Sequence, residues 1–326
     1  MPYPIDKKLV IAISSSALFD LSESDNVFHA DGVESYQKYQ QANIDRPLEK
    51  GVAYPFIRRL LGLNAAFPKE SPVEVVLFSK NSPETGLRVF RSIRHYGLDI
   101  TRAVFSAGES NFQYLPAFNA SLFLSANPDD VRGALGAGYA AGTVLDAQVE
   151  DDESDTELRL GFDFDGVVAD DTSEQYLQNQ AEGDMNAYFR HEADLSATPL
   201  SQGPVARLLQ KISYFQKMEK RKQSAEPGYK RMLKTSIVTA RNAPAHERVV
   251  ATLKEQHVEV DNVFFLGGIE KSRVLNILKP HIFFDDQMVH LDDVKKIPAV
   301  HIPFGIKNKP VNGRAHEQLS GRSPGF

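Results

Sequence analysis

The sequence predicts an α/β protein made of two similar parallel-sheet halves, and three observations carry that expectation. Short apolar and β-branched runs alternate with helical segments, the pattern of buried parallel strands joined by crossover helices. A set of residues recurs in the same order in both halves of the chain, as an internal duplication would produce. An acidic run, EDDESD over 150–155, stands between the two copies and reads as a solvated linker.

In chain order, the expected strands of the first half are LVIAI, VEVVLF and SLFL. Those of the second are LRLGF, TSIVT, NVFFL and HIFF, with helical segments at Pro244 to Gln256 and Ser272 to Leu278. Pro47, Leu48 and Gly51 match Pro199, Leu200 and Gly203. Asn81 and Pro83 are set against Asn242 and Pro244, Ala107 and Gly108 against Gly267 and Gly268, and SLFLSA (121–126) against HIFFDD (281–286). The predicted organisation is a half over 1–149, a linker over 150–156 and a second half over 157–326. Each half has about the usual size of a domain, roughly 150 residues. An insertion at about 172–235, containing YLQNQAEGDMNAYFRHEAD and KMEKRKQ, reads as a small helical cap. Its alternative is a purely structural helical segment. KMEKRKQ reads as a solvated helix face, Tyr188, Phe189 and His191 as core aromatics rather than a base-stacking set, and the tail from Asn308 as a flexible terminus.

Composition narrows the function. The 326 residues are 42% hydrophobic and 25% charged, with a formal net charge of -6. That is the balance of a soluble globular protein, without the basic footprint of a nucleic-acid binder. The absence of cysteine removes disulfides and cysteine-ligated zinc. The N-terminal apolar run is one strand long and no uncharged stretch reaches the roughly 20 residues of a membrane span, so a cytoplasmic, membrane-free protein is expected. A homo-oligomer is compatible with the sequence.

In parallel α/β sheets ligands sit at the carboxyl ends of the strands, and four strand ends of the second half carry unusual residues. Asp163 and Asp165 follow LRLGF; alternate residues leave a strand on one side, so both carboxylates reach one site. A turn aspartate bonded to its own backbone explains one of them and leaves the second unexplained. Thr239 ends TSIVT, where a helix N-cap is the plainer reading. Lys271 enters a helix after GGIE, a place where a lysine is usually solvated. Asp285 and Asp286 follow HIFF, and adjacent buried carboxylates repel unless a cation lies between them. Together the four become specific: an oxygen-only site suited to magnesium, a carboxylate nucleophile, and a hydroxyl and a cation for phosphoryl oxygens. His281, His290 and His301 match no zinc spacing and read as structural.

This ordered set, DFDGV, a strand ending in threonine, a lysine and DD, resembles the haloacid-dehalogenase-like phosphatase superfamily. The wider chain resembles the cytosolic 5′-nucleotidase type I family through AISSSALF, GVAYPF, LRLGFDFDGVV, VTARNA, KPHIFFDDQMVH and AVHIPFG. The resemblance implies an HAD-like Rossmannoid fold and Mg2+-dependent hydrolysis of nucleoside 5′-monophosphates. It implies Asp163 as nucleophile, Asp165 as acid and then base, and Thr239 and Lys271 on the phosphoryl oxygens. Asp163, Asp285 and Asp286, with the carbonyl of Asp165, would hold the metal, and Arg241 and Asn242 would contact substrate. Phe164 and Gly166 depart from the small residues that flank the first motif in that family, which bears on substrate preference. Two other readings stay open: a phosphatase of another small phosphate ester such as a sugar phosphate, and a non-catalytic nucleotide-binding regulator.

The first half is expected to be a decayed copy. Ser14 and Ser16 stand where Asp163 and Asp165 stand, Phe78 opposite Thr239, Asn111 near Lys271, and Ser125 with Ala126 opposite Asp285 and Asp286. It has no nucleophile. Its plainer role is to buttress the other half; its sharper one is a nucleotide effector site involving Lys80.

Overall fold

A computed structural model describes residues 3–180 and 183–308. The expected flexible tail falls, beyond Asn308, outside the described residues. The chain divides into two compact units with the break between Leu145 and Asp146.

In the first unit the strands are β1 (Leu9–Ile13), β4 (Val73–Ser79), β5 (Arg102–Phe105), β6 (Leu122–Ser125) and β7 (Ala141–Val144), with a two-residue antiparallel pair, β2 (Phe19–Asp20) and β3 (Glu49–Lys50). The helices are α1 (Ser15–Leu18), α2 (Ser22–Ala42), α3 (Tyr54–Ala66), α4 (Gly86–His95) and α5 (Pro128–Gly136). β1 and β4 are buried along their whole length. That is why β1 is a continuous apolar run rather than an alternating one; β4 is apolar from Val75 to Phe78, and its buried Glu74 is paired with Arg102 at 2.6 Å. The parallel order is β7-β6-β1-β4-β5.

The second unit repeats this plan. Its strands are β8 (Leu158–Phe162), β9 (Leu233–Thr239), β10 (Asn262–Phe265), β11 (Ile282–Asp285) and β12 (Ala299–His301). They run parallel in the order β12-β11-β8-β9-β10. Its helices are α6 (Thr172–Asn179), α7 (Met185–Asp194), α8 (Ala206–Ala225), α9 (His246–Glu255), α10 (Lys271–Leu278) and α11 (Met288–Leu291). In each unit the first strand is central, the second and third lie on one side, and the fourth and fifth on the other. This is the Rossmannoid, HAD-like arrangement, made twice.

Equivalent hydrogen bonds fix the register between the copies. The Asn81 amide donates to Ser79 Oγ at 3.2 Å, and the Arg241 amide donates to Thr239 Oγ1 at 3.2 Å. The Ser106 and Leu266 amides donate to the carbonyls of Ser79 and Thr239. Ser79 therefore stands at the Thr239 position, not Phe78, and Asn81 stands at Arg241. Matching Asn81 with Asn242 displaces this segment by one residue. Phe78 instead points into the core against Phe118 and Phe123.

The stretch 172–235 divides in two. α6 and α7 form the helical insertion. α8 is a crossover helix whose Leu208, Leu209, Ile212 and Phe215 are buried in the core. The acidic run is drawn into the second unit at its end, where Asp155 accepts from Arg159 at 2.8 Å.

Candidate active site

The site forms where β8, β9 and β11 end. β8 is buried and apolar from Leu160 to Phe162, and Phe162 stacks on Phe284 of β11 with centroids 5.0 Å apart. Two rigid, paired strands thus deliver Asp163 and Asp285 side by side. α10 begins at Lys271, whose side chain is 3% exposed and whose Nζ lies 2.9 Å from Asp163 Oδ1 and 2.7 Å from Asp285 Oδ2. The lysine that composition alone assigns to solvent is buried between two carboxylates. Burial opposes its charge, but the two acids outweigh that and raise its pKa.

The carboxylates are not alike. Asp285 accepts from the Gln287 amide at 2.9 Å and lies 3.3 Å from His290 Nδ1. Burial would raise it, yet Lys271 and His290 hold it below the usual carboxylate range. Asp163 is pushed up to about 7 by burial, against the pull of Lys271 and with the push of Asp285. Asp286 is pushed up to about 9 by burial and by Asp163 and Asp285. Its Oδ1 is buried without a hydrogen-bond partner. One lysine cannot balance three acids packed this closely, and a buried polar atom without a partner is costly.

Those observations fit a hard divalent cation. The donor set is carboxylate oxygen, which magnesium prefers to imidazole. Among the described residues, Asp163, Asp285 and His290 also bring ligand atoms within 4.8 Å of one another. His290 is better placed as a hydrogen-bond partner of Asp285 than as a ligand beside three oxygen donors. His301 is structural: its Nε2 lies 3.0 Å from the Asp286 carbonyl and 3.0 Å from Asn308 Oδ1. His281 is structural too, its Nδ1 accepting from the Arg159 amide at 3.0 Å.

Gly166 is required at its position. It has φ +72°, and an added Cβ would stand 2.5 Å from Asp286 Oδ2. Phe164 is fully buried, with the Arg241 guanidinium 5.4 Å from its ring centroid.

The remaining sequence-predicted residues reach the same edge in different ways. Thr239 is buried at the end of β9, with its hydroxyl accepting from the Arg241 amide. Asp165 accepts both edges of Arg241: Nε to Oδ2 at 2.7 Å and Nη2 to Oδ1 at 2.7 Å. Arg241, expected to touch substrate, is itself buried and turned to carboxylates. Asn242 lies beside Gly267, whose added Cβ would meet Asn242 Cβ at 3.1 Å. The sequence reading missed Glu192 on α7, which is buried against Arg241 and Arg248.

A Rossmannoid α/β unit with paired acids, a threonine and a lysine at its strand ends defines the HAD-like class. The chain belongs to the 5′-nucleotidase family, whose model matches residues 1–309. It is 32% identical over 318 residues to human cytosolic 5′-nucleotidase 1B, covering 94% of this chain and 51% of that protein. The chain thus spans about half the length of the curated relative it matches. No solved structure gives a significant match. No helix among the described residues is long and apolar enough to cross a membrane.

Proposed function

We propose that this chain is a phosphoric monoester hydrolase that removes phosphate from nucleoside 5′-monophosphates, with AMP-like substrates and magnesium as cofactor. The observation that carries the reading is the cluster of Asp163, Asp285, Asp286 and Lys271 at the strand ends. It provides a nucleophile, a cation and an oxygen-rich metal site within one buried edge. The name of the human relative supports the substrate class.

In this reading Asp163 attacks phosphorus and the P–O bond to the ribose 5′-oxygen breaks, leaving an aspartyl phosphate. Asp165 gives a proton to that departing oxygen, then takes one from the water that cleaves the acyl phosphate. Lys271 and the Thr239 hydroxyl hold the equatorial phosphoryl oxygens. Asp163, Asp285 and Asp286, with the Asp165 carbonyl, would hold Mg2+, which supplies charge neutralisation for the phosphoryl group.

The first half has no acid at the equivalent strand ends and is proposed to act as scaffold. A cavity of ≈ 170 Å³ there is lined by residues including Asp25, Tyr36, Lys80 and Asn81. Lys80, the cation an effector phosphate would need, is paired with Asp130 at 2.9 Å. A cytoplasmic location is proposed from the family resemblance.

The test is phosphate release across AMP, other nucleotides and sugar phosphates, with and without magnesium. Magnesium-dependent release from AMP, with little from sugar phosphates, is expected. The Asp163→Asn variant, losing nucleophile and ligand together, should fall by about three or more orders of magnitude. Near-normal release by a folded Asp163→Asn protein would overturn the assignment.

A further inference from the structure

Glu192 is fully buried, and a buried carboxylate is costly unless paired and hydrogen-bonded. It has three partners: the Arg241 Nη1, the Arg248 Nη1 at 2.9 Å and the Ser173 hydroxyl at 2.8 Å. Arg248 also donates from Nε to the Thr198 carbonyl at 2.9 Å, tying the end of the insertion to α9. Arg241 turns the rest of its fork to Asp165. The result is a continuous ion-paired chain, Glu192–Arg241–Asp165, running from an insertion helix to the strand end.

The first half separates the structural part of this network from the rest. There Arg88 occupies the place of Arg248. It donates from Nε to the Arg46 carbonyl at 3.0 Å and from Nη1 to Gln40 Oε1 at 3.1 Å. Gln40 thus stands where Glu192 stands, Asn81 where Arg241 stands and Ser16 where Asp165 stands. The half that lacks the nucleophile keeps the arginine tie with a neutral partner. It lacks all three charges of the other chain. A negative charge at 192 is therefore not what the helix tie needs; it is what Arg241 needs.

We propose that Glu192 and Arg241 are positioning residues for the proposed reaction. Glu192, carried by α7, anchors the Arg241 guanidinium, and that guanidinium fixes the carboxylate of Asp165 for proton transfer. Arg241 suits this role because its planar fork holds both oxygens of Asp165 through two parallel N–H···O bonds while Nη1 turns to Glu192, an orientation the single ammonium of a lysine cannot impose. The inference rests on the reading of Asp165 as acid and base. It also gives the insertion a part in the site, through Glu192 on α7 and its contact with Arg241.

The test is a double-mutant cycle with a nucleoside 5′-monophosphate and magnesium. Glu192→Gln keeps the shape and one acceptor oxygen and drops the charge and the second acceptor; Arg241→Lys keeps the charge and drops the fork. Each should lower kcat by about ten- to a hundredfold with KM changed less than about threefold. Placed in an Asp165→Asn background, neither should lower the residual rate further. Equal losses in both backgrounds, or an unchanged kcat in the folded single variants, would overturn the positioning role while leaving the phosphatase reading intact. Wild-type turnover by Asp165→Asn would overturn both. If Glu192→Gln does not fold, Arg241→Lys decides the question alone.

Discussion

Gly166 shows how much a single residue position decides in this site. The resemblance marks it as a departure from the family pattern; the structure supplies a reason for glycine. Asp286 approaches the Gly166 backbone so closely that no Cβ fits, and φ is +72°. A left-handed conformation costs a non-glycine residue about 1–2 kcal/mol, and the contact adds displacement of Asp286. The strain lowers stability with or without the metal, whereas displacing Asp286 acts on binding: Gly166→Ala should raise the magnesium concentration needed for half-maximal activity by about tenfold, the factor that a loss of about 1.4 kcal/mol of binding corresponds to. A magnesium titration with an unchanged midpoint would contradict this. The acids, the threonine and the lysine were legible because a strand end after an apolar run is a recognisable address. Glu192 was not, because NAYFRHEAD reads as a mixed helix whose aromatics draw the eye. Its signal was present: Tyr188 and Glu192 are four apart on one helix face, and both are buried. A carboxylate on the buried face of a helix demands a cationic partner.

Helix α8 makes the same point for an element. Its segment KMEKRKQ reads as a solvated face, and for Lys217 and Lys220 that holds: both reach Glu259 at the surface. Glu219, between them, is 1% exposed. It accepts from the Met232 amide at 2.7 Å, the Leu233 amide at 3.1 Å and the Tyr229 hydroxyl at 2.7 Å. One side chain thus joins the end of α8 to the start of β9. Composition cannot show this, because in a lysine-rich run the buried position is set by helical phase and by what the next strand brings near. Glu219→Ala leaves two amides and a hydroxyl without their acceptor. It should destabilise the protein by about 2–4 kcal/mol, read from urea unfolding, with KM for the nucleotide unchanged. A loss below about 0.5 kcal/mol, the range of ordinary surface substitutions, would show that water replaces the carboxylate without penalty. Letter matching displaces β4 against its counterpart β9 by one residue for a related reason. Asn81 and Asn242 match as letters, whereas Ser79 and Thr239 match as hydroxyls receiving the same backbone bond.

At the scale of the whole molecule, the duplication was legible because strand order and turn glycines are written into both halves. The loss of charge in one copy was legible too, as Ser14, Ser16, Ser125 and Ala126. What the sequence did not reveal is how tightly the remaining acids are packed, and that has a consequence for stability. Asp163 and Asp286 have folded pKa values pushed up to about 7 and about 9, chiefly by burial. Both lie above the unfolded range of roughly 4 for a carboxyl group. A group raised in this way contributes stability that is present below its unfolded pKa and is lost as pH rises through the folded value. The metal-free protein should accordingly weaken as pH climbs from about 4 toward 9, because the folded state must give up protons that keep neighbouring acids neutral. Magnesium competes with those protons, so it should stabilise little at pH 5.5 and much more at pH 8.5. The measurement is a thermal melt with and without magnesium at the two pH values. The expected outcome is a rise in Tm on adding magnesium that is several degrees larger at the higher pH, about 4 °C or less per kcal/mol for a chain this long. The same melts on Asp286→Asn should lose most of that pH dependence, since the most strongly raised acid is gone. An equal magnesium effect at both pH values in the wild-type chain would mean that the cluster is not where the cation binds.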